Sequence, residues 1–306
     1  MDRPPDPGRQ GIEYIRRTSG SVLRATILTV LLLHVASCGM LSAAATPPPA
    51  GALVVSFIDV GQGDSTLVQS GGDNYLIDAG EPEAGPEVVD FLRSRGVEEL
   101  DGLVATHPDA DHIGGLPDVL AAFPVATVYL SGEADKGTTT FNSFLRAVRD
   151  EGARVFEARA GMEMDWGGTE VRVLSPPPEA EGGLFGESNE DSVSLLLAHG
   201  EARVLLTGDA ENEAEEYMST GRYTGPVTVL KVGHHGSSSS TTPLFLSRFR
   251  PEIAVIAVGE NSYGHPTSQT LRRLKTVGAE TFRTDQDGDV IVTIKDDQVD
   301  VAITEY

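Results

Sequence analysis

Cys38 is the only thiol in this 306-residue chain, so no intramolecular disulfide framework holds the fold. Basic residues are scarce too: 23 Lys and Arg stand against 46 Asp and Glu, a formal charge of −23. Coating nucleic acid without sequence preference needs a cationic surface that releases counterions, and this composition argues against that class. No apolar run reaches the roughly 20 residues of a comfortable bilayer-spanning helix, which excludes a polytopic membrane protein. No internal repeat of about 20–50 residues is found, so solenoids and propellers fall away. Hydrophobic residues at 40% and charged residues at 23% are ordinary globular usage, which excludes a wholly disordered chain and a collagen.

The first fifty residues read as a leader and tether. Arg3, Arg9, Arg16, Arg17 and Arg24 precede the apolar run Ala25–Val35, and Ala36-Ser37-Cys38 follows. A basic region, a short apolar stretch and small residues before a cut site describe a secretory signal. Arg16-Arg17 suggests twin-arginine export, but the following Thr18-Ser19-Gly20 fits it poorly. Val35-Ala36-Ser37-Cys38 resembles a bacterial lipobox with valine at the usual leucine position. That resemblance implies cleavage before Cys38, a lipid on its sulfur, and a protein anchored at the cell envelope. Residues 1–37 are thus expected to be a signal peptide. Residues 38–51, with Pro47-Pro48-Pro49, are expected to be a tether too poor in bulky apolar residues to form a core. The folded unit is expected at 52–306.

From Ala52 onward, strands and helices alternate. Ala52–Val60, Leu103–Thr106, Val227–Val232 and Ile253–Val258 have the branched-residue content of strands. Ser65–Gln69 and Tyr75–Ile77 flank a glycine turn and read as a hairpin. Phe141, Phe144, Leu145 and Val148 share one helical face. Antiparallel pairs at both ends, with strand–helix alternation between, indicate a layered α/β fold with mixed sheets. Loops at Ser131–Thr140 and Ser175–Asn189 are expected at the surface.

Six histidines remain past the leader, and all but His199 follow a strand end, where α/β folds bind ligands. His199 sits at a hairpin turn and reads as a surface residue. The densest cluster is Thr106-His107-Pro-Asp109-Ala-Asp111-His112-Ile-Gly-Gly115. It places two imidazoles and two carboxylates within six residues, between a strand and a glycine pair. The two aspartates repel each other unless a divalent cation intervenes, so a metal site is expected.

His107-x-Asp109-x-Asp111-His112 resembles the His-x-His-x-Asp-His signature of the metallo-β-lactamase superfamily, with Asp109 in place of the second histidine. This variant is similar to the last domain of ComEC-type competence proteins. Phe57-Ile-Asp-Val-Gly-Gln-Gly-Asp-Ser65, Leu76-Ile-Asp-Ala-Gly80, Leu206-Thr-Gly-Asp-Ala210, Val232-Gly-His-His-Gly-Ser237 and Tyr263-Gly-His-Pro266 extend the resemblance to the C-terminus. It implies a four-layer αββα sandwich with a two-metal site at one edge. Asp209 would be the bridging aspartate. One ion would take His107, Asp109 and Asp209. The other would take Asp111, His112, Asp209 and a late histidine, with His235 favoured over His234. The family's intermediate histidine is missing; Asn189 or Asp191 stands in the corresponding region. The membrane-spanning segments of full competence channels are missing too, which implies a free-standing domain and no channel.

The oxygen-rich donor set suits manganese or magnesium, with zinc favoured at the second position. Two such ions lower the pKa of a shared water and clamp both oxygens of an in-line displacement, which suits phosphodiesters. His234 or His265 would protonate the leaving oxygen. The serine run Ser237–Ser240 before a helix either cradles a phosphate or is a solvated loop, and Lys231 faces either the same edge or solvent. Asp59, Asp64 and Asp78 either support the ligand histidines from behind or cap turns. Trp166 is expected to pack, and Asp285–Asp289 to form a turn, because it lacks the length and distal glutamate of a calcium loop.

The leading expectation is an exported, lipid-anchored two-metal hydrolase of phosphodiesters, DNA among them. The acidic charge favours instead an envelope phosphoesterase with a small substrate, of the choline-phosphate esterase type. Hydrolysis of β-lactams fits less well, because of Asp109. A non-catalytic binding module of the same fold is the reading from another class.

Overall fold

The computed structural model describes residues 12–14, 47–132, 137–178 and 189–304. Apart from the short strand at 12–14, the expected leader, Cys38 and most of the tether lie outside the described residues, as do parts of the two expected surface loops. The strands are β1 (Ile12–Tyr14), β2 (Leu53–Phe57), β3 (Thr66–Ser70), β4 (Asp73–Ile77), β5 (Gly102–Ala105), β6 (Thr127–Leu130), β7 (Arg154–Glu157) and β8 (Glu163–Trp166). They continue with β9 (Thr169–Ser175), β10 (Ser194–His199), β11 (Ala202–Leu206), β12 (Val229–Lys231), β13 (Ile253–Ile256), β14 (Glu280–Arg283), β15 (Val290–Lys295) and β16 (Gln298–Thr304). The helices are α1 (Gly85–Ser94), α2 (Ala110–Ile113), α3 (Leu116–Ala122), α4 (Thr139–Glu151), α5 (Asn212–Thr220), α6 (Pro243–Phe249), α7 (Ser268–Val277) and α8 (Thr284–Asp287).

Two mixed sheets form, in the orders β1-β16-β15-β2-β3-β4-β5-β6-β7 and β14-β13-β12-β11-β10-β9-β8. Period-two alternation decides how they stack. Leu53, Val55 and Phe57 of β2 meet Val171, Val173, Leu195, Leu197, Val204 and Val229 between the sheets. The intervening Leu196, Leu205 and Leu230 face outward onto Phe245, Leu246, Phe249 and Leu274 of α6 and α7. On the other sheet, Leu67, Leu76 and Leu103 face Val88, Leu92, Leu116, Val119 and Phe144 of α1, α3 and α4. The layers therefore run helix, sheet, sheet, helix, as expected. Each fully buried apolar side chain contributes about 1.5–3 kcal/mol relative to exposure. Trp166 packs as expected: it is 1% exposed and stacks on Tyr75 of the opposite sheet at 4.1 Å.

β4 to β7 are parallel, and so are β11 to β14. The carboxyl ends of β5, β11, β12 and β13 all emit site loops, so the topology gathers distant motifs at one edge of the sandwich. Two edge strands, β7 and β8, lie outside the sequence expectations; β7 is exposed throughout and carries no alternation. Residues 284–287 form one helical turn, α8, which overlaps the stretch 285–289 expected to be a turn. Among the described residues no helix is long and apolar enough to cross a membrane.

Candidate metal centre

Three imidazoles converge at this edge, each held from behind. His107 follows β5; its Nδ1 lies 3.1 Å from Thr106 Oγ1 and 3.4 Å from Ser192 Oγ. His112, on α2, has Nδ1 2.8 Å from Asp78 Oδ2. His235, after β12, has Nδ1 2.9 Å from the Ala257 carbonyl. Each ring is at most 1% exposed, and each Nε2 is buried without a hydrogen-bond partner. Asp209 sits between two of them, with Oδ1 3.3 Å from His112 Nε2 and Oδ2 3.3 Å from His235 Nε2. Asp111 Oδ2 is also 3.3 Å from His235 Nε2.

Burying an unpaired polar atom costs about 1–3 kcal/mol. Here the Nε2 atoms of His107, His112 and His235 and Oδ1 of Asp64 and Asp209 carry that cost together. A shared cation removes it, so this donor set fits metal. Close groups of donor atoms are His107–His112–Asp209, Asp111–His112–His235, Asp64–Asp209–His235 and Asp64–Asp78–His112. Asp209 thus belongs to two overlapping groups, one with His107 and His112 and one with Asp64 and His235. Asp109 lies outside these four groups: its carboxylate is 3.7 Å from His107 Nε2 and its side chain is 38% exposed. Asp191 is buried but joins none of the four groups, and Asn189 directs its amide nitrogen at the His234 ring.

The backbone is strained where it presents the late histidines. His234 and His235 have φ of 44° and 48°, in the left-handed region, at a cost of about 1–3 kcal/mol each. Ser240 Oγ donates to Gly233 O at 2.6 Å and Ser237 N donates to His234 O at 2.8 Å, which hold the turn. Hydroxyls of the serine run are therefore engaged inside the loop; Ser239 Oγ also donates to Glu211 Oε1 at 2.6 Å. The two late histidines divide. His235 enters the donor groups, whereas His234 is paired through Nδ1 with Glu211 and has Nε2 3.9 Å from Asp209. His265 lies beside His234, ring centroids 5.2 Å apart. His199 is remote, bonded to Thr169 and the Gly51 carbonyl.

Of the three supporting aspartates, two lie behind the site. Asp78 also accepts from Thr106 N at 2.9 Å. Asp64 carries the larger surprise. Its carboxylate is paired with the ammonium of Lys231, which is buried, donates to Gly208 O at 2.9 Å and lies 3.7 Å from Asp209. Lys231 shares the inward face of β12 with Val229, which settles its direction. Gly63, just before Asp64, lies close against the loop of Asp111: its φ is +141°, and a Cβ there would lie 2.4 Å from the Asp111 carbonyl oxygen. Asp59 belongs to a turn instead, its carboxylate accepting from Gly61 N at 3.1 Å. Glu211 was not singled out in the sequence; the Thr-Gly-Asp strand end two residues before it was the available signal.

Charge follows this geometry. Burial disfavours a charged His112, but Asp209 and Asp78 outweigh it and hold its proton well above the usual histidine range. Burial likewise opposes charge on His235, yet Asp209 and Asp111 push it up to about 10. Burial, with His112 adjacent, pushes His107 down to about 3. Burial works against ionisation of Asp209, but His235 and His112 hold it well below the carboxylate range. The carboxylates thus recruit protons where no cation sits, and metal binding would release them.

The chain matches the family described as Metallo-beta-lactamase superfamily over residues 58–260. It is 31% identical over 253 residues to Recombination protein 2 of Haemophilus influenzae, covering 81% of this chain and 29% of that protein. It is 32% identical over 260 residues to ComE operon protein 3 of Bacillus subtilis (77% and 32%) and 33% identical over 244 residues to Competence protein ComA of Neisseria gonorrhoeae (78% and 32%). The chain therefore spans less than a third of the length of these relatives. Among solved structures, the metallo-beta-lactamase fold protein YhfI of Bacillus subtilis superposes with a TM-score of 0.53 at 12% identity, covering 79% of this chain and 99% of that one. CmlA, a diiron beta-hydroxylase from Streptomyces venezuelae, gives 0.52 at 16% identity, with 78% and 53% covered. At such identities the likeness shows the fold alone.

Proposed function

The chain belongs to the metallo-beta-lactamase superfamily, and from that premise we propose that it is a two-metal hydrolase of phosphodiesters. The observation that carries this reading is the set of three inward Nε2 atoms gathered around the two oxygens of Asp209. One ion would be held by His107, Asp109 and Asp209, the other by Asp111, His112, Asp209 and His235. Two divalent cations, manganese or zinc with magnesium as the other candidate, supply Lewis acidity and an activated water near neutral pH.

The chain's own groups do the rest. Asp78, Thr106, Ser192 and the Ala257 carbonyl fix each imidazole by its Nδ1 and leave Nε2 for the metal. Glu211 fixes His234 by Nδ1, so Nε2 points toward the centre and is placed to protonate a leaving oxygen. Burial opposes ionisation of Glu211, but hydrogen bonds from His234 and Ser239 hold it below its usual range, an ionised partner for the imidazole. Burial and the neighbouring His234 and His235 lower His265. Its unprotonated form is thereby favoured more than in an ordinary histidine.

The test is metal analysis of the full chain, with turnover of single-stranded DNA and bis(p-nitrophenyl) phosphate in manganese. Hydrolysis of both is expected, and His112→Ala and Asp209→Ala should each lose it without unfolding. Bound ions with no hydrolysis of either ester overturn the reading in favour of a binding module. The formal charge of −23 favours a second reading, a small-substrate envelope phosphoesterase of the choline-phosphate type; cleavage of the small ester but not DNA selects it. The lipobox-like Cys38 supports export and anchoring at the envelope, ahead of a tether and a hydrolase domain at 52–306. Palmitate labelling that survives Cys38→Ser would contradict the anchor.

A further inference from the structure

Six aromatic rings form a continuous file from the surface to the metal centre. Tyr263 to His265 is 5.8 Å between centroids, His265 to His234 is 5.2 Å, and His234 to His235 is 6.0 Å. His235 to His112 is 5.5 Å and His112 to His107 is 4.1 Å. The outer end is Tyr263, 74% exposed; the inner end is His107, 1% exposed. The Tyr263 ring lies within 30° of the His265 plane, which leaves its other face toward solvent.

The loop that carries this exposed ring is pinned. Asn261 Oδ1 accepts from Tyr263 N at 3.1 Å, Gly264 N at 2.9 Å and His265 N at 3.1 Å. Its Nδ2 donates to Gly259 O and His265 O, both at 2.9 Å. One side chain thus fixes the segment that carries both the exposed ring and the imidazole beside His234. The backbone that carries the ring is pre-ordered, so stacking pays only for ordering the side chain.

We propose that Tyr263 is a stacking platform for a nucleobase of a strand that reaches the metal centre, and that the strand it accepts is single. This rests on the phosphodiesterase reading above. Bases in a duplex already stack on their neighbours and reach a protein ring only by being extruded, whereas those of a single strand are free to do so. Net charge by itself favours a small substrate, so a strand bound despite it is held through its bases more than through its phosphates. A protein with 23 basic against 46 acidic residues gains little from phosphate contacts, so base stacking is the available source of affinity.

The experiment uses the full chain and a short single-stranded oligonucleotide carrying 2-aminopurine, whose fluorescence falls on stacking, beside a matched strand abasic at that position. Native protein with its metals, mixed rapidly with the strand, should quench the probe before cleavage and bind the base-bearing strand about ten-fold more tightly than the abasic one. Tyr263→Ala should lose both the quenching and the preference, and Tyr263→Trp should keep them. Unchanged quenching and preference in Tyr263→Ala, or no preference in the native chain, overturns the assignment. Turnover in manganese separates this from the function itself. Stacking without cleavage of any phosphodiester sinks the hydrolase reading and leaves a base-binding site. Cleavage with one KM for native and Tyr263→Ala sinks the platform and leaves the hydrolase.

Discussion

At the scale of single residues, Lys231 and Asp64 form a buried charge pair inside the site. Four carboxylates, Asp64, Asp78, Asp111 and Asp209, surround His112 and His235. A lysine aimed inward from β12 offsets part of that charge before any metal arrives. Removing one member of a buried ion pair leaves the other uncompensated, which costs about 3–5 kcal/mol. Lys231→Met keeps most of the side-chain volume and removes the charge. In metal-free protein it should lower stability by that amount in urea unfolding, and saturating manganese should shrink the deficit because the cations take over part of the neutralisation. Equal midpoints for native and variant would show that the pair has no such role. None of this was legible locally. The sequence marked Asp64 and Lys231 as ambiguous because each residue's role depends on the other, and the two are brought together only by the packing of two sheets.

At the scale of elements, carboxylates also hold helix starts in place. Glu190 accepts from Glu213 N at 3.0 Å and Ala214 N at 2.9 Å at the start of α5. Glu215, on α5, accepts from Thr241 N and Thr242 N at the start of α6. Burial pushes Glu215 from its ordinary 4.5 up to about 7, against the hydrogen bonds from Thr242 and Thr241. A folded value above the unfolded one means that the folded state binds the proton more tightly. The stability tied to this group is therefore complete below about pH 4.5 and is lost as pH rises through about 7. Glu215→Gln should flatten the fall of Tm across that interval in thermal scans of the full chain; parallel Tm profiles would refute it. Most elements were legible from apolar periodicity, since β2, β10, β11 and β12 each have a side facing the core between the sheets. β7 and β8 were not. Arg154–Glu157 is exposed along its length on a sheet edge, so burial imposes no pattern for a reader to find.

Across the whole molecule, the sandwich and its charge act together. Parallel segments in both sheets bring loops from β5, β11, β12 and β13 to one edge. That is why His107, His112, Asp209 and His235 were legible as candidates from motifs alone, while their mutual geometry needed the fold. The rest of the surface belongs to a chain of net charge −23, and that bears on how a polyanionic strand would meet the site. A protein that binds DNA through about 6–10 phosphate contacts loses roughly 10³–10⁵ in affinity between 50 and 200 mM salt, because counterions must be released. Here few cations are available to release them, and long-range repulsion opposes the strand's approach. Added salt screens that repulsion. The apparent KM for a single-stranded oligonucleotide should therefore change by less than about ten-fold between 50 and 200 mM salt, or fall. Steady-state cleavage in manganese across that range measures it. A KM that climbs a hundred-fold would mean that a local basic track, which the net charge conceals, grips the phosphates and that stacking is not the main source of affinity.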